Sequence, residues 1–152
     1  MLNLPVIKKG VTLYDVEKVL SEIEQIDLPV AHHFADGIYV RELVIPKGTI
    51  IIGKRHRKET CNILLKGSIS IFLDDDGKIV GENGRPIVKR FYAPAIFNSP
   101  PFSKKMGYTH EDTIFLNIHP TQDKDLDKIE QEFIIPETEY LEFISIVELK
   151  EQ

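Results

Sequence analysis

The chain has no tryptophan, one cysteine and two methionines in 152 residues. A single cysteine excludes an internal disulfide framework and fits a reducing cytoplasm. That residue, Cys61, lies in an apolar run with no activating arrangement nearby, so it reads as a small buried hydrophobe rather than a catalytic thiol. No apolar run approaches the roughly 18 residues of a membrane helix. The first residues also lack the basic-then-apolar order of a signal peptide. A soluble cytoplasmic protein with no membrane partner is expected. Excess positive charge is missing too: 19 Lys and Arg against 24 Asp and Glu leave a net charge of -5. Global charge therefore gives no reason for non-specific nucleic-acid binding. Nucleic-acid motifs are absent and the terminal helix is acidic, so no nucleic-acid partner is expected.

What is present is an ordinary globular composition of a length that predicts one domain. Residues 1–28 read as an arm and a helix over about 12–25, capped by Thr12, with Val16, Val19, Leu20 and Ile23 on one stripe. From Pro29 to residue 120 the period becomes that of strands. Ile38 to Ile45, Thr49 to Ile52, Cys61 to Leu65, Ser68 to Leu73, Ile79–Val80, Ile87 to Tyr92 and Asp112 to His119 are the candidates. In Ser68 to Leu73 the isoleucines and Leu73 alternate with Ser68, Ser70 and Phe72, which predicts one buried face. Asp74 to Gly77 is a hairpin turn rather than a calcium loop, because the distal glutamate is missing. Gly81 to Pro86 is a loop, Pro94 to Pro101 a rigid connection, and Ser103 to Gly107 a second basic segment. Residues 121–152 carry a capped amphipathic helix (Asp125, Leu126, Ile129, Phe133) and then a short helix or an exchanging tail. Many short strands between terminal helices predict a mostly β, antiparallel barrel or sandwich.

Gly48 to Gly67 holds the densest chemistry. Two β-branched or apolar runs flank Lys54, Arg55, His56, Arg57 and Lys58. The stretch resembles the first motif of the cupin superfamily, Gly-x5-His-x-His-x3,4-Glu-x6-Gly, with Gly48, His56 and Gly67 in register. Lys54 stands at the first histidine and Thr60 at the glutamate. The second motif is replaced by Pro94 to Ser99, with serine at its histidine. The resemblance implies a cupin-type double-stranded β-helix (an antiparallel jelly-roll barrel) with N-terminal and C-terminal helices. Within that superfamily the chain resembles small phage- and prophage-encoded proteins, through His32 to Gly37, Tyr39, Arg41, Glu42, Ile45 to Thr49, Gly53, Glu111 to Thr113 and His119 to Thr121.

One of four cupin metal ligands survives, so no metal and no cofactor are expected. A rebuilt metal-dependent site would have to use His56, Glu59, His110 and His119. The same positions offer an anion site, because arginine presents a planar fork and lysine a point charge. Lys54 to Lys58 alternate direction, and Asn62, Asn117 and His119 share an inward face with Phe115. Lys54, Arg55, His56, Arg57, Asn62, Tyr92, Phe115, Asn117 and His119 are the candidate ligand-binding residues, with Tyr108 as an alternative to Tyr92. The expected partner is a small anionic, phosphorylated or nucleotide-like ligand, bound without catalysis. Two alternatives stay open beside the metal enzyme: the basic turn meets acidic surfaces of a partner subunit, or the barrel serves only structure or assembly. A His base with a Tyr acid, as in cupin sugar-nucleotide epimerases, is a weaker possibility. A homo-oligomer is expected.

Overall fold

Among the described residues, alternating side chains along short runs, broken by glycine and proline, give nine strands in two antiparallel sheets. The computed structural model describes residues 13–73 and 87–150. The predicted arm, the Thr12 cap, the Asp74 to Gly77 turn, the Ile79–Val80 strand and the 81–86 loop lie outside them.

In chain order the elements are α1 (Leu13–Leu20), β1 (Val30–Ala35), β2 (Ile38–Ile45), β3 (Ile50–Ile52), β4 (Thr60–Lys66) and β5 (Ser68–Leu73). They continue with β6 (Val88–Tyr92), β7 (Ala95–Ser99), β8 (Lys105–Thr109), β9 (Thr113–Pro120), α2 (Leu126–Phe133) and α3 (Glu137–Lys150). One sheet runs β1-β2-β9-β4-β7 and the other β3-β8-β5-β6. The pairs β2·β9, β3·β8, β4·β7 and β5·β6 are those of one long hairpin rolled upon itself. That pairing defines the jelly roll, here the cupin-type double-stranded β-helix.

The roll needs a sharp turn between β4 and β5, and Gly67 supplies it at a φ of 92°. A Cβ there would sit 2.5 Å from both Asp112 O and Thr113 Oγ1, so only glycine fits.

Three sequence expectations change. The proline-rich connection is strand β7 and the second basic segment is β8; flanking prolines and lysines hid the partners of β4 and of β3 and β5. Both faces of β5 are buried, because Phe72 packs with Leu13 of α1 and Met106 of β8 while Ile69 and Ile71 enter the barrel core. The first helix is shorter than 12–25, and Val19 and Ile23 of its stripe are 66% and 60% exposed.

The inner face of the five-stranded sheet carries Leu43, Ile45, Leu64 and Phe115. Its outer face is apolar across β9 and β4, with His33 and Glu42 on one side and Asn98 on the other. Val40, Ile118 and Cys61 lie in one cross-strand row, and Leu116, Ile63 and Ile96 in the next. Cys61 is thus half-buried on this outer face rather than in the core.

Candidate functional site

Period-two alternation stacks three inward rungs across β2 and β9. Leu43 faces Phe115, Arg41 faces Asn117, and Tyr39 faces His119. Below the first of these rungs the barrel is packed. Above it lies a cavity of about 400 Å³, within the range of small-molecule sites. Ile51, Ile69, Ile71 and Phe115 form its apolar floor, and Leu126, Ile129 and Phe133 of α2 lean over it. Gly107 lies among the floor residues, where a Cβ would come within 2.9 Å of Ile69 Cδ1. Between floor and cover run Arg41, Asn117, Lys105, His56 and His119.

The polar layer is tied together beneath the cavity. Asn117 Nδ2 donates to Asn62 Oδ1 at 2.6 Å, and Asn62 Nδ2 donates to Ser99 Oγ at 2.6 Å. Lys105 Nζ donates to the same Ser99 Oγ at 2.7 Å. Ser99 stands at the second motif's histidine position, and an ammonium reaches it. Thr60, at the glutamate position, sets its hydroxyl 3.0 Å from His56 Nδ1. The His56 and His119 rings stack at 5.4 Å between centroids, and His119 stacks in turn on Tyr39 at 5.9 Å. The Tyr39 hydroxyl hydrogen-bonds His32 Nδ1 at 2.7 Å, at the mouth.

Burial, and then the positive charge of Lys105, pushes His56 down to about 3. Burial, and then Arg41 and Lys105, pushes His119 down to about 4. Both imidazoles are neutral at physiological pH, so they add no charge and repel no cation. Burial lowers the Arg41 guanidinium below its ordinary value, yet arginine stays charged. Among the described residues, none offers Arg41 a carboxylate.

The basic strap lies largely outside this cavity. Its backbone is zipped to the segment between α2 and α3: Arg57 N donates to Phe133 O at 2.8 Å and Ile135 N to Arg55 O at 3.0 Å. Its side chains meet the acidic faces of those helices. Lys54 pairs with Glu130, and Lys58 with Glu132 at 3.4 Å. Arg57 holds Glu139 through two bonds of 2.8 and 3.0 Å. Arg55, with its side chain 3% exposed, reaches Glu137 at 3.3 Å and lies 3.8 Å over the Tyr140 ring. Lys104 of the preceding loop joins Glu137 to Glu17 of α1. Phe102, at a left-handed φ of 62°, donates its N–H to His56 O and accepts from Arg55 Nη1.

The sequence candidates therefore divide. His56, Phe115, Asn117 and His119 line the cavity, Lys54 stands at its mouth, and Asn62 supports Asn117 from behind. Arg55 and Arg57 are drawn away by the carboxylates of α3, and Tyr92 is 63% exposed on the edge strand β6. The acidic surface that the basic turn meets belongs to this chain's own C-terminal helices. His56 and His119 come together, but Glu59 is in an exposed loop and His110 bonds Ser70 Oγ at 2.7 Å, outside the cavity. Among the described residues no group of three His, Cys, Asp or Glu could hold a metal ion. Tyr108 packs edge-on against His110, also away from the cavity. Sequence reasoning missed Arg41, Lys105, Tyr39 and His32. The signal was available for Arg41, which alternates between Tyr39 and Leu43 in a run already read as a strand.

No family model matches the sequence, and no curated protein does. Among solved structures the chain is similar to a cupin-2 domain protein from Shewanella frigidimarina, at 11% identity over 70% of this chain and 92% of that one, with a TM-score of 0.44. It is similar to the cupin domain of Cnp3 from Schizosaccharomyces pombe, at 14% identity over 74% and 76%, with a TM-score of 0.48. A third similar structure is an RmlC-like cupin family protein from Methanocaldococcus jannaschii, at 15% identity over 69% and 97%, with a TM-score of 0.46. On its own strand pairing the chain is a cupin-type double-stranded β-helix whose cavity lies between the two sheets and beneath α2.

Proposed function

We propose that the chain binds a small anionic ligand in the barrel cavity and does not transform it. The observation that carries this reading is Arg41, an inward, half-buried guanidinium to which no described carboxylate is offered. A buried charge without a counter-charge is costly, and an anion entering the cavity supplies one. Lys105 adds a second cation, and the neutral imidazole of His119 adds one N–H donor. A phosphorylated or nucleotide-like molecule is the ligand first suggested by the basic strap. With the strap engaged by α2 and α3, that suggestion now rests on Arg41 and Lys105. A phage origin and a cytoplasmic location rest on sequence motifs and cysteine usage, and sequestering a host nucleotide signal would be one use of such binding. Among the described residues, no helix is long and apolar enough to cross a membrane.

Thermal unfolding against phosphates, nucleotides, sugar phosphates and carboxylates tests the reading. A ligand of the folded state at a hundredfold excess over Kd adds about 2.7 kcal/mol of stability. Stabilisation by anions and not by their neutral analogues is expected; equal response to both contradicts it.

A second reading, a structural or assembly role, is favoured by the outer face of the five-stranded sheet. A second copy of this chain fits that face. The rows through Val40, Ile118 and Cys61 and through Leu116, Ile63 and Ile96 put apolar side chains at the centre of the face, while Glu42, beside Leu116, is met by His33 of β1 at 3.5 Å. Self-association and ligand binding use opposite faces of one sheet and are compatible.

A further inference from the structure

We infer that the cavity takes a monocarboxylate carried on an apolar body, a medium-chain fatty acid or an arylalkanoate, with the carboxylate on Arg41 and the hydrocarbon on the Leu43–Phe115 rung. This rests on the anion-binding reading above and narrows it. Three observations carry it.

The first is the supply of charge. Lys54, the cation at the mouth, is already held by Glu130, while Lys105 keeps its charge but gives one of its donors to Ser99, as a point charge without a fork. Among the described residues that line the cavity Arg41 is the one arginine, and its planar fork matches the two oxygens of one carboxylate. A phosphate monoester brings close to two charges and three acceptor oxygens. A nucleoside di- or triphosphate brings more, and among the described residues lining the cavity the cations are Arg41, Lys105 and the Lys54 already held by Glu130.

The second is the lining. Leu43, Ile51, Ile69, Ile71 and Phe115 surround the space next to Arg41. None can hydrogen-bond a ribose or the edge of a base, and burying those groups unpaired is unfavourable. A hydrocarbon body meets the same wall with no polar group to satisfy.

The third is the cover. Leu126, Ile129 and Phe133 place apolar side chains over the cavity, while Glu130 puts a carboxylate at its mouth. A ligand with a second anionic group at its outer end would meet Glu130. A ligand with one anionic head directed to Arg41 would not. His56 and His119, neutral at working pH, flank the head without demanding further negative charge.

Isothermal titration of the full chain with octanoate, octanamide, butyrate, inorganic phosphate and adenosine monophosphate tests the inference. Octanoate is expected to bind at least tenfold tighter than octanamide, and affinity to rise about fourfold per methylene from butyrate to octanoate. Arg41→Met is expected to erase the preference for octanoate over its amide. The carboxylate–amide comparison on the unmodified protein needs no variant, so a folding defect in Arg41→Met leaves the test intact. Binding of phosphate or adenosine monophosphate without octanoate overturns the monocarboxylate and leaves the anion reading standing. Octanamide binding as tightly as octanoate overturns both. Silence from all five ligands also overturns both.

Discussion

Asn117 and Asn62 face each other across β9 and β4 and share a 2.6 Å hydrogen bond between their side-chain amides, wholly inside the barrel. Asn62 passes the contact on to Ser99, which also receives Lys105. The cavity's polar layer is therefore one connected network rather than separate side chains. Asn62→Leu removes the acceptor of Asn117 and one donor to Ser99. A loss of about 1–3 kcal/mol in urea unfolding is expected. The double variant Asn62→Leu/Asn117→Leu should cost less than the two single changes added, because no partner is left stranded. Strict additivity would show that the two amides act independently.

Glu137 is the hub of the C-terminal attachment. It takes Arg55 at 3.3 Å and Lys104 at 3.2 Å, both cations having side chains only 3% exposed. Glu137→Gln takes the carboxylate from buried Arg55 and leaves Lys104 with Glu17, and a loss of about 3 kcal/mol is expected. Glu139→Gln disrupts the more exposed pair with Arg57 and should shift the midpoint far less, because solvent screens that pair. Denaturant midpoints of the two variants check the contrast. Equal midpoints would mean that α3 is not anchored through Arg55.

Acid should weaken the fold through the stacked imidazoles. The folded values of His56 and His119 are about 3 and about 4, below an unfolded value of about 6.5. As pH falls below that value the unfolded chain takes up protons that the folded chain refuses. Stability is thus complete above about pH 6.5 and falls toward the folded values, at up to about 1.4 kcal/mol per pH unit for each imidazole. Unfolding free energies between about pH 6.5 and 4.5 should show a shallower slope in His56→Gln/His119→Gln than in the unchanged protein. An unchanged slope would place the acid sensitivity in the carboxylates.

Strand order was largely legible, because alternation survives wherever one face of a strand is buried. It failed at β7 and β8, where prolines and lysines gave loop signals and the pairing partners β4 and β5 lie far back in the chain. It misled at β5, whose outer face is covered by α1. The site was legible where residues share a strand, as with Phe115, Asn117 and His119. It was not legible for the strap, whose partners Glu137 and Glu139 lie 82 residues away. A run of positive charge shows a need for negative charge without showing whether a ligand or the chain itself provides it. Arg41 escaped notice for the converse reason: one arginine between Val40 and Glu42 carries no local excess.

The outer face of the five-stranded sheet should hold two copies together. Ile63→Lys puts a charge between Leu116 and Ile96, one strand further from Glu42 than Leu116 is, without touching the cavity. Sedimentation equilibrium should give a dimer for the unchanged chain and a monomer for the variant. A monomer in both would remove the second-copy proposal.

The central claim is that Arg41, not the basic strap, receives the anion. Its most direct measurement is the ligand-induced rise in thermal midpoint, taken with the best-stabilising anion for the unchanged protein, Arg41→Met and Arg57→Ala. The rise should vanish in Arg41→Met and persist in Arg57→Ala. A rise that persists in Arg41→Met and vanishes in Arg57→Ala would return the site to the strap and contradict the account.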